Sequence, residues 1–159
     1  MKRKAISTRT TGDLGFTLVR TFDAPRRVIF EAWTKPEHLK KWSAPRGFTI
    51  PHSEGDIRPG GKWRACMRTP EGEDLQLGGV YQQVVPDTSL VFTHAWEDEG
   101  KRDRDTLVSV QFEEDGHGTR LTLSQTGFDS VESRDGHESG WSECLERLAE
   151  YAALMRPSK

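Results

Sequence analysis

Cys66 and Cys144 are the only two cysteines in a chain of 159 residues. They form no C-x-x-C or similar metal-type pair, and they do not amount to a disulfide framework. They read as reduced thiols of an intracellular protein. Long apolar runs are also missing. Nothing approaches the roughly 20 residues of a membrane span, and the basic start Met1–Ser7 has no apolar stretch behind it of the kind a secretory signal needs. Neither sign of charge is in excess: Lys plus Arg is 23 and Asp plus Glu is 25, a formal net charge of −2. That balance gives no support for nucleic-acid or anionic-membrane binding. No G-x-S-x-G, P-loop or dinucleotide fingerprint occurs, and Gly60-Gly61 and Gly78-Gly79 read as turn or bulge glycines. His38, His52, His94, His117 and His137 show no metal-ligand spacing, and no carboxylate completes a facial triad in sequence. No metal, cofactor, nucleic acid or membrane is therefore expected as a partner, and a cytoplasmic location is.

The chain is well supplied with aromatics, with five Trp and seven Phe. These suit a core or a cavity wall. Residues 1–12 read as a mobile tail or a frayed strand extension, and residues 13–156 as a single domain. Leu14 to Phe22 is strand-like. Asp23-Ala24-Pro25 reads as a helix start with Asp23 able to cap, and Val28, Ile29, Ala32 and Trp33 give that helix an apolar face. Lys35-Pro36 stops it, and Pro36 opens a second short helix through Leu39 and Trp42. About six strands follow between Gly47 and Thr126. Their short turns require antiparallel neighbours, and a bulge or bend is expected at Gly78-Gly79. The chain closes with an amphipathic helix whose stripe is Trp141, Leu145, Leu148, Ala152 and Met155. Its start falls as early as Ser130 if Gly136 and Gly140 are tolerated inside it.

Several motifs in this order resemble a known family. Thr21-Phe22-Asp23-Ala24-Pro25 leads into Val28-Ile29-Phe30-Glu31-Ala32-Trp33, and Pro36-Glu37-His38-Leu39-Lys40-Lys41-Trp42 follows. Pro59-Gly60-Gly61-Lys62-Trp63-Arg64 runs on to Met67–Gly72. Gly79-Val80-Tyr81, Val85-Pro86 and Leu90–Thr93 come next, and Gly140-Trp141 with Leu145 and Leu148 closes the set. From about Leu14 to Leu154 the chain resembles bacterial proteins related to the C-terminal domain of the activator of the heat-shock-protein-90 ATPase. These belong to the START-like, or SRPBCC, helix-grip superfamily. The resemblance implies an α+β helix-grip fold: a curved antiparallel sheet of about six to seven strands around a long C-terminal helix, with two short helices after strand one. It also implies a cavity between sheet and helix. Fold alone does not settle function in this superfamily.

For the site, the aromatic set stands out. Trp33, Trp42, Phe48, Trp63, Tyr81, Phe92, Trp96, Phe112 and Trp141, with Met67 and Leu145, are the candidate ligand-binding residues. His94 joins them because its parity partners are Leu90, Phe92 and Trp96. It is either a hydrogen-bonded structural histidine or a ligand contact or general acid/base. Tyr81 and Gln83 are further candidate polar groups. Arg20 is either paired to a carboxylate or a clamp for an acidic head group. His38 reads as exposed, Cys66 as outward-facing and Cys144 as packed. No catalytic residue is assigned. The leading reading is a non-catalytic or weakly catalytic protein, monomer or homodimer, that binds a small hydrophobic molecule. The alternatives are a cyclase/dehydratase- or hydrolase-type enzyme using His94 or Tyr81, and a chaperone-associated interaction module.

Overall fold

The structure, a computed structural model, describes residues 6–9, 14–98 and 101–155. In chain order the elements are β1 (Ile6–Arg9), β2 (Leu14–Phe22), α1 (Arg26–Thr34), α2 (Pro36–Trp42), β3 (Thr49–Gly55), β4 (Lys62–Arg68), β5 (Asp74–Val85), β6 (Ser89–Asp98), β7 (Lys101–Arg102), β8 (Thr106–Asp115), β9 (Gly118–Phe128) and α3 (Val131–Met155). All strand pairs are antiparallel, in the order β1-β2-β9-β8-β6-β5-β4-β3, with β7 beside the end of β6. Seven long strands carry the sheet, and β1 and β7 are short additions. In the N-terminal segment Ile6–Arg9 pair with Phe16–Val19 of β2, in keeping with the strand-extension alternative. The rest of residues 1–12 lies outside the described residues. Beyond Trp96, β6 runs on to Asp98, and Glu97 and Asp98 pair with Arg102 and Lys101 of β7.

Local chemistry explains the elements. In α1, Val28, Ile29, Ala32 and Trp33 are buried. Lys35 ends that helix at φ −101, ψ 127, the extended backbone demanded of a residue before proline, and Pro36 takes the first turn of α2, where its missing N–H costs nothing. Asp23 does not cap α1: Pro25 occupies the cap position and no side chain bonds there. The Ser130 Oγ caps α3 by accepting from the Ser133 N–H at 3.0 Å. The β8–β9 turn places Gly116 at φ 64 in a two-residue loop, as a type II′ turn requires of its first residue.

The strand register aligns the interior in rows. Phe16, Gln125, Val108, Phe92 and Tyr81 lie opposite one another across β2, β9, β8, β6 and β5. Leu18, Leu123, Val110 and Leu90 form the next row. α3 packs on β2 and β9 and against α1 and α2. Beneath it Phe16, Ile29, Trp42, Leu121, Leu123, Leu145 and Leu148 are fully buried. A second, smaller apolar cluster, Ala44, Ile50, Ala65, Met67 and Leu77, sits on β3–β5 and the loop before them. The interior is thus divided, with one core under the helix and the other on the far half of the sheet.

The irregularity in β5 lies between Tyr81 and Gln83, not at Gly78-Gly79. The two glycines are in regular register, and close approach explains them: a Cβ at Gly79 would stand 1.8 Å from the Thr93 carbonyl oxygen, and one at Gly78 would stand 2.7 Å from that of Trp63.

Candidate functional site

Between the two cores lies a cavity of about 410 Å3. Three groups of elements wall it. α1 and α2 contribute Trp33, Leu39, Trp42 and Ser43, with Pro45 and Phe48 from the loop that follows. The far half of the sheet contributes Ile50, Ser53, Trp63, Ala65, Met67, Leu75, Leu77, Tyr81, Phe92, His94 and Trp96. α3 contributes Ser133, Gly136, His137, Gly140, Trp141 and Cys144. Those six positions recur at three- and four-residue steps, so they form one helical face. This face is rotated from the stripe Leu145, Leu148 and Ala152, which packs on β2 and β9. Trp33, Trp42, Tyr81, Phe92, His94 and Cys144 are buried, whereas Phe48, Leu75, Trp96, His137 and Gly140 are partly exposed and Gly136 is exposed. The mouth therefore lies between the N-terminal half of α3 and the edge of β3–β6.

Polar groups in the wall are largely turned into the protein. The Trp63 Nε1–H donates to the Thr93 carbonyl at 3.0 Å, and the Trp42 Nε1–H to the Ala32 carbonyl at 3.0 Å. The Trp141 Nε1–H donates to Gln125 Oε1 at 2.8 Å, and Gln125 Nε2 in turn donates to Thr106 Oγ1 at 2.8 Å. Each indole so held presents its apolar ring to the cavity. Trp33 stacks on Trp141 at 5.5 Å and 19°, and among the described residues its Nε1 has no hydrogen-bond partner. Trp63 meets Phe92 edge-on at 5.8 Å, and Tyr81 meets Phe92 at 5.7 Å.

The polar end of the cavity holds two histidines, His94 on β6 and His137 on α3, whose rings lie 5.8 Å apart. The partners of His137 fix its tautomer. Indole is only a donor, so His137 Nε2 must accept from Trp96 Nε1 at 3.0 Å. A carbonyl is only an acceptor, so Nδ1–H donates to Ser133 O at 2.8 Å. The bond of His137 to Trp96 ties helix to sheet at the mouth. His94 sits among Trp63, Trp96, His137 and Trp141, with its backbone carbonyl held by the Thr106 hydroxyl at 2.8 Å. Behind this wall is a hollow of about 30 Å3 that shares His94, Trp96, Ser133 and His137 with the cavity and is lined beyond them by Asp103, Arg104 and Asp129. It has room for one water molecule.

Burial pushes the Tyr81 phenol up to about 12. It therefore stays protonated and can donate a hydrogen bond, but it is a poor base at neutral pH. Burial likewise pushes the Cys144 thiol up to about 12, against the opposing pull of Arg147, so it is no ready nucleophile. Among the described residues no cluster of His, Cys, Asp and Glu could hold a metal ion.

The cavity brings together Trp33, Trp42, Phe48, Trp63, Met67, Tyr81, Phe92, His94, Trp96 and Trp141, but not Phe112 or Leu145. Both are fully buried: Phe112 on β8 packs against α1, and Leu145 lies on the inner face of α3. Phe112 lies edge-on to Phe30 at 5.3 Å and to Trp33 at 6.3 Å. Gln83 is exposed and bonds to Ser89. Arg20 is buried but does not line the cavity, and among the described residues its Nε has no partner. His38 is not exposed: its Nδ1 lies 2.6 Å from the Tyr151 hydroxyl and its Nε2 3.4 Å from Glu31, which joins α1, α2 and α3. Cys66 points away from the cavity yet is buried among its outer-face neighbours. Sequence reasoning named Trp141 but missed His137, Gln125 and the other α3 positions that share its face, Ser133, Gly136, Gly140 and Cys144. The spacing of that face is readable, but its polar and glycine residues carry no hydrophobic signal.

No curated protein matches the chain. Solved structures do. A Chromobacterium violaceum protein shares 27% identity over 91% of this chain and 98% of its own, with a TM-score of 0.80. The AHSA1 protein of Silicibacter pomeroyi shares 28% identity over 88% of this chain and 98% of its own, with a TM-score of 0.79. A Mycobacterium smegmatis protein at 23% identity has the same fold, with a TM-score of 0.81 over 98% of this chain and 99% of its own. The family model for activator of Hsp90 ATPase homolog 1-like proteins matches residues 23–153. With that match over most of its length, the helix-grip chain belongs to the activator of Hsp90 ATPase homolog 1-like family.

Proposed function

We propose that this protein binds a small hydrophobic or aromatic molecule in the cavity between sheet and α3. One observation carries the reading: a space of about 410 Å3 is walled by aromatic rings, and the N–H groups of Trp42, Trp63, Trp96 and Trp141 are all spent on protein acceptors. The volume falls within the roughly 300–1,000 Å3 typical of ligand sites. A core of this size could have closed by packing, and an unfilled apolar space costs stability. The Tyr81 phenol and the His94 end supply the few polar groups that orient a ligand. Protonated Tyr81 suits a hydrogen-bonding role better than an acid/base role. Two buried, unpaired cysteines are in keeping with a reducing, cytoplasmic setting.

A chaperone-docking role would call for a contiguous exposed apolar patch. Among the described residues the large exposed apolar side chains are Val85, Val131 and Leu154, at the end of β5 and the two ends of α3. They give that role no support.

Native mass spectrometry of freshly purified protein, followed by denaturation and identification of what is released, tests the proposal. The expected result is a bound small molecule, or uptake of an added apolar probe, that is lost on Trp63→Ala or Trp141→Ala. An apo mass with no uptake of any apolar probe would overturn it.

A further inference from the structure

The cavity face of α3 carries two positions without a side chain, Gly136 and Gly140, one turn apart. Glycine is the poorest helix former after proline, so two in one helical face need a cause. The backbone does not supply one, since neither residue has a positive φ. Crowding does not supply one either. A Cβ at Gly140 would rest 3.6 Å from Pro45 Cγ, an ordinary contact, and a Cβ at Gly136 would meet nothing within 4 Å. Gly136 is also exposed while lining the cavity, which places it at the mouth beside the Trp96–His137 tie.

We propose that Gly136 is a specificity-determining residue. The missing side chain keeps the mouth open, lets a ligand lie against the α3 backbone, and sets the largest ligand the cavity admits. The inference rests on the ligand-binding reading. It adds that ligand size is limited at this one helical position, where a Cβ would meet nothing within 4 Å.

The test compares wild type with Gly136→Ala, Gly136→Val and Gly136→Leu. Two uncharged probes are used: N-phenyl-1-naphthylamine, followed by its fluorescence, and the smaller indole, followed by calorimetry. Gly136→Leu is expected to weaken N-phenyl-1-naphthylamine binding at least about tenfold while indole binding changes less than about threefold. Its melting temperature is expected to rise by a few degrees, because leucine is the better helix former and a Cβ at this position meets nothing within 4 Å. Should Gly136→Leu fail to fold, Gly136→Val and Gly136→Ala carry the comparison, and losses must still be graded by side-chain size and greater for the larger probe. Wild type that binds both probes, with variants that bind them equally well or lose both equally, overturns the inference alone. Wild type that takes up neither probe overturns the ligand-binding reading and the inference with it.

Discussion

Gln125 is fully buried, and its amide joins Trp141 on α3 to Thr106 on β8 through two bonds of 2.8 Å. Gln125→Leu keeps a similar volume and deletes both bonds, at about 1 kcal/mol net each. It also leaves the Trp141 N–H facing an apolar side chain, a further penalty of about 1–2 kcal/mol. Burying more apolar surface returns roughly 1 kcal/mol. The Thr106 hydroxyl keeps its bond to the His94 carbonyl, so no second orphan arises. The expected loss is about 2–3 kcal/mol. Urea denaturation followed by circular dichroism measures it as a fall in midpoint at unchanged m-value. Trp141→Phe removes the donor, so Gln125→Leu should cost less in that background by about 1 kcal/mol or more. Released from its acceptor, Trp141 should also wall the cavity less well and weaken apolar-probe binding. A single variant within about 0.5 kcal/mol of wild type, or strictly additive variants, would refute the view that this amide holds the helix wall in place.

Alkaline pH should destabilise the fold in a defined window. The unfolded tyrosine and thiol ionise near 10.0 and 9.0, whereas buried Tyr81 and Cys144 hold their protons to about 12. Stability is complete below pH 9 and is lost as pH rises towards 12, by a few kcal/mol for the pair. Tyr81→Phe with Cys144→Ala should flatten the dependence of the urea midpoint over that range, and an unchanged slope would contradict it. Arg147 donates to the carbonyls of Ala44 at 2.6 Å and Lys41 at 3.0 Å, closing the end of α2 against α3. Arg147→Met should therefore cost about 1–2 kcal/mol in denaturation. By contrast, Arg46→Ala, which removes an exposed pair with Glu150, should leave the urea midpoint essentially unchanged, because water and salt screen that pair. His137→Ala takes away the acceptor of Trp96 and should lower the melting temperature and blue- or red-shift the tryptophan emission; unchanged emission would show that the tie does not hold Trp96.

Periodicity and punctuation carried much of this fold in the chain itself. Lys35-Pro36 divides α1 from α2 because a residue before proline resists the helical backbone, and that constraint is local. The alternation Leu90, Phe92, His94, Trp96 placed His94 inward because a strand has period two. The family motifs supplied the helix-grip architecture that these local signals leave open. Tertiary structure decided the rest. The β5 irregularity fell after Tyr81, where register with β6 is set by pairing rather than by Gly78-Gly79. Phe112 and Leu145 packed tight while Trp63 and Trp96 faced open space. Hydrophobic pattern says which residues leave water, not whether two buried faces meet. Gln125 and His137 were invisible for the opposite reason: they are polar, and only the strand register and the turn of α3 bring their hydrogen-bond partners within 3.0 Å. The sequence by itself determined the elements and the inward faces. The tertiary structure decided that those faces stay apart, because α3 covers β2 and β9 and leaves the aromatic half of the sheet lining a cavity.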